Sequence, residues 1–463
     1  MARSDQYTEG ASMLLNQGLQ LKRGHKLLIF CQEGLEKLCG CIRVEAEKLE
    51  VKVDIRYFRR SDFIDGYPRT FSPEEIITAA AVVPSGIVLL IEWSEETTKG
   101  RLRLLTDMQQ TGRTWRIASM PGVDYEGLKM CSGDLKEIEV RSKKVLGVLS
   151  RSKSVTIRTP RPDSADEDEL IIPIGLFNPT ISTGKIHPKT WGNYPSGETF
   201  VVPNEGAAWG WVTVRGSFPL YPLNQDEWVR FHIQKGQLVF SSIQASSDKI
   251  EAEFSALFFH QAGKPKCLNA NSLAELGIGT NQDIDRLTGM PIFDEKVLGT
   301  IHIALGRNKQ FDGPLESCLH HDIVCTDVSA VIGDTVVIQD GKFVLTDDDA
   351  IPSLDAFDPC SVTDVAVRLN GKFLYNYSKR GNSEGALFEV IYPSGRRGDV
   401  PFSLATGDEA KMAMTLLRTI ENQASAISLS TLLQSVDPKK VNMFRRIVNG
   451  LLYYRVIEYD DIR

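Results

Sequence analysis

The stretch His25-Lys-Leu-Leu-Ile-Phe30 is a short apolar run, and three others of the same kind follow it: Val51-Lys-Val-Asp-Ile55, Gly86-Ile-Val-Leu-Leu-Ile91 and Thr114-Trp-Arg-Ile-Ala118. Runs of this length suit buried strands, and the helix-like segments between them supply the crossovers that parallel neighbours need. Residues 1–160 are therefore expected to form an open α/β domain, a parallel sheet covered by helices on both faces. No G-x-G-x-x-G follows the first strand, where Cys31-Gln-Glu-Gly-Leu35 stands, so dinucleotide binding is not supported.

Downstream, Thr159-Pro-Arg-Pro-Asp-Ser-Ala-Asp-Glu-Asp-Glu-Leu170 joins two prolines to an acidic run and reads as an exposed, extended connector. Residues 170–345 change texture to short strands and glycine-bearing turns, as in Trp209-Gly-Trp-Val-Thr-Val-Arg-Gly216 and around Asp340-Gly341, a hairpin signal. This second unit is expected to be a β-rich α+β domain. Residues 346–463 offer further strands, helix candidates at 408–422, 428–434 and 438–451, and a strand in Tyr454-Arg-Val-Ile-Glu-Tyr459. That order resembles a winged-helix unit. Lys439, Lys440, Arg445 and Arg446 would suit phosphate contacts, but Glu458, Asp460 and Asp461 follow directly, so protein or peptide contact or simple capping is the expectation.

The length of 463 residues accommodates these three units, and 42% hydrophobic with 24% charged residues excludes global disorder. A net charge of −7 gives no general attraction to nucleic acid or anionic lipid. No stretch approaches the ~18 uncharged apolar residues of a membrane span, and the start Met1-Ala-Arg-Ser-Asp-Gln lacks a signal-peptide centre, so a cytoplasmic protein is expected. Cysteines stand at 31, 39, 41, 131, 267, 318, 325 and 360 without a C-x-x-C pair, and are expected to be reduced thiols.

Of seven histidines, His302, His320 and His321 fall close together. In a strand, His320 and Asp322 share one face while His321 points away, so one imidazole and one carboxylate are presented together. With His302 on a neighbouring strand they form a donor set for Zn, Mn, Co or Fe. Glu198 and Glu275 are further carboxylates in apolar, glycine-bordered contexts, where burial demands a partner.

The order of these motifs resembles the aminopeptidase T and aminopeptidase S family of metallo-aminopeptidases, over residues 10–345. The family's P-x-G-E-x-F-x-x-P element is similar to Pro195-Ser-Gly-Glu198-Thr-Phe-Val-Val-Pro203, its H-x-A-L-G element to His302-Ile-Ala-Leu-Gly306, and its H-x-D element to His320-His-Asp322. The resemblance implies metal-ligand roles for Glu198, Glu275, His302, His320 and Asp322, one or two divalent ions (Zn, Co or Mn), and a homodimer. It also departs in two places. The tyrosine expected seven residues after the histidine is Lys309, and the segment beyond residue 346 is additional.

The implied reaction is hydrolysis of an N-terminal peptide or amide bond by a metal-activated water, with Glu275 bridging two ions and Glu198 or Glu295 as general base. Glu295 otherwise reads as an exposed strand-end carboxylate. Lys309 and Asn308, with Arg307, are candidate substrate contacts in the turn after Ala-Leu-Gly. Two alternatives stand beside hydrolysis: a non-haem Fe(II) oxygenase using His302, His320 and Asp322, and a noncatalytic binding or scaffold protein on the same fold. No G-x-S-x-G elbow occurs, and Cys318 is expected to be a packing thiol.

Overall fold

A computed structural model describes residues 6–64, 85–110, 114–175, 177–260, 263–311, 313–346 and parts of 366–459. The four apolar runs are strands: β1 (Lys26–Gln32), β2 (Lys52–Phe58), β3 (Gly86–Ile91) and β4 (Arg116–Pro121). They pair in parallel in the order β2-β1-β3-β4. Alternate residues serve opposite faces. Leu27, Ile29 and Val88 pack with Leu38, Ile42 and Ala46 of the helix Glu36–Lys48. Leu28, Ile87 and Leu89 pack with Leu104, Leu105 and Met108 of the helix Glu95–Gln110. Burial on both faces explains why these strands read as continuous apolar runs instead of alternating ones.

The segment expected to be an extended connector is instead a hairpin of β5 (Ser154–Pro160) and β6 (Glu167–Pro173). Val155, Ile157, Leu170 and Ile172 alternate into the core; the charged residues between them form the tip and the outer face, except Asp168, which is buried on the inner side in an ion pair with Arg230. The chain then adds β7 (Thr180–Ser182), β8 (Thr190–Asn193) and β9 (Glu198–Val201). β8 joins the first sheet beside β4, again in parallel. Next come β10 (Trp209–Val214), β11 (Ser217–Phe218), β12 (Tyr221–Pro222), β13 (Val229–Gln234), β14 (Gln237–Leu238) and β15 (Gln244–Ala245). The last strands of this part are β16 (Leu273–Gly279), β17 (Ile301–Gly306), β18 (His320–Cys325), β19 (Ser329–Ile332), β20 (Thr335–Gln339) and β21 (Lys342–Phe343).

These form two antiparallel sheets, β14-β13-β10-β6-β5-β19-β20-β21 with β15 beside β13, and β12-β11-β18-β17-β16-β9-β7. Their inner faces share one core: Ile157, Leu170 and Phe231 from the first meet Leu276, Ile278, Ile301, Ile303 and Ile323 from the second. Period-two alternation then turns Glu198, Glu275, His302, His320 and Asp322 to the opposite face of the seven-stranded sheet.

Further on, Ala366–Leu369 pairs with Ile427–Ser428 and Ile457–Tyr459, and the helices Gly407–Glu421 and Leu429–Gln434 lie at two of the three expected positions. Over the third, Pro438–Lys440 is a 3-10 turn and residues 443–444 and 447–448 are helical, while Arg445 and Arg446 lie outside the described residues, as do Cys360, Asp460 and Asp461. Among the described residues no helix is long and apolar enough to cross a membrane.

Candidate metal centre

Four adjacent strands, β18, β17, β16 and β9, place five of the donors. On β16 and β17 the antiparallel register sets Gly277 opposite His302 and Glu275 opposite Ala304, and on β17 and β18 it sets Ala304 opposite Asp322 and Gly306 opposite His320. β9 pairs with the far end of β16, setting Glu198 opposite Gly279. A bulge between Leu273 and Glu275 shifts the β16 register where the Glu275 carboxylate is delivered.

The five ligand positions are brought together, with Glu295 added, in two compact triples. Glu275, His320 and Asp322 form one and Glu198, Glu295 and His302 the other, each with ligand atoms within 4.8 Å of one another. His320 Nε2 lies 3.3 Å from Glu275 Oε2 and 3.4 Å from Asp322 Oδ1. His302 Nε2 lies 3.5 Å from both Glu198 Oε2 and Glu275 Oε1, between the two triples. His320 Nδ1 donates to the Arg307 carbonyl at 2.6 Å, which leaves Nε2 as the free donor atom toward the carboxylates. His321 points away, with its Nε2 3.2 Å from the Leu257 carbonyl and 3.3 Å from Glu95.

Glu295 is buried, not exposed at a strand end. It follows the short helix Pro291–Asp294, and the Asp294 carboxylate fastens that turn by accepting from Ser217 Oγ, Thr288 N, Thr288 Oγ1 and Gly289 N. The same turn buries Lys296, which sequence reasoning missed. Its ammonium is inaccessible to solvent and sits 2.5 Å from Glu198 Oε1 and against Glu295 Oε1. Lys309 is instead exposed and paired with Glu316, because the chain turns outward in a 3-10 turn after β17. The charged side chain among the donors is therefore Lys296. Asn308 is buried as a loop peg, accepting from Leu315 N at 2.7 Å and donating to the Ala274 carbonyl.

The electrostatics follow from burying four carboxylates together. Burial pushes the Glu295 carboxyl well up, against the pull of Lys296, and Asp322 adds to the rise. Burial also raises Glu198 although Lys296 and His302 oppose it. Burial works in the same sense on Glu275 and Asp322, but the neighbouring imidazoles win and hold both carboxyls below the usual carboxylate range. Conversely, burial would lower His302 and His320, and the carboxylates facing them raise both. Lys296 behaves likewise, desolvation being outweighed by Glu198 and Glu295.

A divalent cation fits this donor set. Glu198 Oε2 is buried without a hydrogen-bond partner, and imidazole and carboxylate are first-row metal donors. Phe311 packs edge-on against His320 and beside Phe200, forming an apolar flank to the centre. Arg101, from the helix Glu95–Gln110, donates to Ser119 Oγ at 2.9 Å; burial, then the charge of Arg307, pushes its guanidinium down to about 10, while Glu295 opposes the shift.

One thiol expectation is overturned. Cys267 and Cys318 form a disulfide, with Cα atoms 5.9 Å apart, just before β18. A separation of 51 residues hid the pairing, which depends on the loop ahead of β16 meeting the loop ahead of β18. Cys318 is thus a crosslink and not a packing thiol.

No protein-family model matches the chain, and no curated protein does. Among solved structures, it is similar to 2,5-dihydroxypyridine dioxygenase from Pseudomonas putida KT2440, at TM-score 0.56 and 15% identity over 74% of this chain and 98% of that one. It is similar also to AmpT from Thermus thermophilus, at TM-score 0.50 and 14% identity over 73% of this chain and 99% of that one. At these identities the likeness concerns the fold.

Proposed function

We propose that the protein is a metal-dependent hydrolase that cleaves an N-terminal peptide or amide bond. The observation that carries this reading is the convergence of Glu198, Glu275, His302, His320 and Asp322 from four strands, with Glu295 from the turn after Pro291–Asp294, into two adjoining triples. The fold likeness to AmpT, a Thermus aminopeptidase, agrees with it. Glu275, His320 and Asp322 would hold the ion. A divalent cation there would supply Lewis acidity toward the scissile carbonyl and would lower the pKa of a bound water to about 7.

The chain's own groups then divide the work. Glu295, whose carboxyl burial favours as the neutral form, holds a proton beside the centre and can pass it to a leaving amine. Glu198 keeps Lys296 in place. Phe200 and Phe311 keep bulk water from the flank. The test is release of free amino acid from peptides and aminoacyl anilides by protein loaded with Zn, Co or Mn. Metal-loaded protein that releases none defeats the hydrolase.

A second reading, an Fe(II) oxygenase, is favoured by the ammonium of Lys296 inside the cluster, since such enzymes work with a single ion. Here Glu275 groups with His320 and Asp322 in place of the His302 of a two-histidine triad. Iron-dependent oxygen uptake with a hydroxylated aromatic substrate would select it.

A further inference from the structure

We propose that Lys296 is a built-in second cation: its ammonium occupies the position between Glu198, Glu295 and His302, and the centre therefore binds one divalent ion, at Glu275, His320 and Asp322. This rests on the metal-centre reading and deepens it, since two donor triples would otherwise hold two ions.

Position comes first. Lys296 is fully buried, and its Nζ contacts one carboxylate oxygen from each acidic member of the second triple. The oxygens in contact with the ammonium are closed to an incoming ion, which could reach Glu198 only through Oε2, on the side facing His302. It would then stand beside an ammonium of like charge in a site without solvent to screen the repulsion.

Rigidity comes second, because the backbone that carries the lysine is pinned. Its backbone nitrogen donates to the Phe293 carbonyl, and its carbonyl accepts from Asn281 N at 2.9 Å. Leu298 N donates back to the Asn281 carbonyl at 3.0 Å, and Asn281 Nδ2 reaches the Ser196 carbonyl at 2.7 Å, two residues before Glu198. The ammonium is thereby fixed to the same framework as the carboxylate it neutralises.

Charge comes third. A buried lysine is tolerated only when paired, and both its partners are carboxylates that burial alone would disfavour as anions. Burial is therefore mutual: each carboxylate already has the ammonium against one oxygen, and a second ion drawn to the remaining Glu198 Oε2 would meet that fixed positive charge. Among the described residues no ammonium pairs with the first triple, so its two carboxylates and one imidazole remain available.

The test is a metal count on the full chain, loaded with Mn(II), desalted, and measured by elemental analysis and electron paramagnetic resonance. One Mn per chain with the spectrum of an isolated ion is expected for the unaltered protein. Lys296→Met, which keeps the bulk and removes the charge, is expected to bind two with a spin-coupled spectrum. Two ions in the unaltered protein, or one in folded Lys296→Met, overturn the assignment. If the variant does not fold, the count and spectrum of the unaltered protein decide alone. Absence of any ion removes the metal centre altogether, whereas two ions leave the centre standing and remove only the lysine's role; neither outcome depends on which bond is cleaved.

Discussion

Gly277 and His302 stand directly opposite each other on β16 and β17, and the imidazole fills the space that a side chain at 277 would need. A Cβ there would overlap Cε1 and Nε2, the edge of the ring that faces Glu198 and Glu275. Gly277→Ala is therefore expected to swing His302 out of the donor set. Overpacking should cost about 1–3 kcal/mol of stability, and metal affinity should fall about 10–100-fold. The loss of affinity follows because His302 holds Glu275, a ligand of the ion; metal titration beside thermal unfolding checks both, and unchanged affinity would show that His302 does not position Glu275.

Glu295 is tested by Glu295→Gln, which keeps volume and removes the carboxyl proton. Lys296 keeps Glu198 as its counter-ion, so the fold and the first triple should survive. Turnover is expected to fall about 10²–10⁴-fold with metal content unchanged. Steady-state rates and elemental analysis on the same preparation separate these, and a fully active variant would show that Glu295 moves no proton.

His302, His320 and Asp322 were legible because period-two alternation is local: a strand that buries Ile301, Ile303 and Ile323 must turn its other side chains the opposite way. The four parallel strands were legible for a similar reason, their apolar runs being intact in sequence. Glu198 and Glu275 entered through motif resemblance, since a single glutamate near glycine carries no signal of its own. Lys296 was not legible. Asp294-Glu295-Lys296 has the charge density of a solvated turn, and only the packing of that turn beneath β16, fastened by Asp294, makes it interior. The one available clue was its place in Pro291-Ile-Phe-Asp-Glu-Lys-Val-Leu-Gly299, where apolar residues flank the charges on both sides. Lys309 lies outside the donor cluster because the strand ends at Gly306 and the chain turns outward, where it pairs with Glu316. The 159–170 segment misled because its prolines and acids mark a hairpin tip as readily as a linker.

Asp168 is the most enclosed ion pair remote from the centre. Its side chain is inaccessible and accepts from Arg230 Nε at 2.7 Å and Nη2 at 2.8 Å, from Arg161 Nε at 3.1 Å and from Thr213 Oγ1 at 2.7 Å. Burial would raise the carboxyl, but Arg230 and Thr213 hold it below the usual range. A depressed acid contributes stability above its unfolded pKa of about 3.9 and loses it as pH falls through the folded value. Asp168→Asn should therefore cost about 3 kcal/mol at neutral pH, with the gap to the unaltered protein closing only below about pH 4. Denaturant midpoints across that range check the sign; a gap that widens in acid would contradict the assignment.

The Cys267–Cys318 disulfide closes a loop that includes β16 and β17 and ends just before β18, the strand bearing His320 and Asp322. Thiol titration in denaturant should find two fewer free thiols than the eight cysteines of the sequence unless reductant is added first. Cys267→Ser should lower stability by about 2–4 kcal/mol, and reductant should lower the unaltered protein to the same level. A full complement of thiols in untreated protein would remove the crosslink.

Removal of the ion gives the broadest check on the centre. Among the described residues four buried carboxylates face one ammonium, so without a divalent cation the imidazoles must carry the compensating charge, and Glu198 Oε2 keeps no hydrogen-bond partner. The unfolded chain cannot assemble donors drawn from β9, β16, β17 and β18, so the ion binds the folded state alone and its binding energy adds to folding stability. At free metal about 100-fold above the dissociation constant that contribution is about 2.7 kcal/mol. A chelator is expected to lower the thermal midpoint and added Mn or Zn to restore it. Asp322→Asn removes an anionic donor from the first triple without vacating its space, so its midpoint should no longer respond to metal or chelator. If the unaltered protein also melts at one temperature with and without the ion, the convergence of these carboxylates has a structural cause and the centre holds no metal.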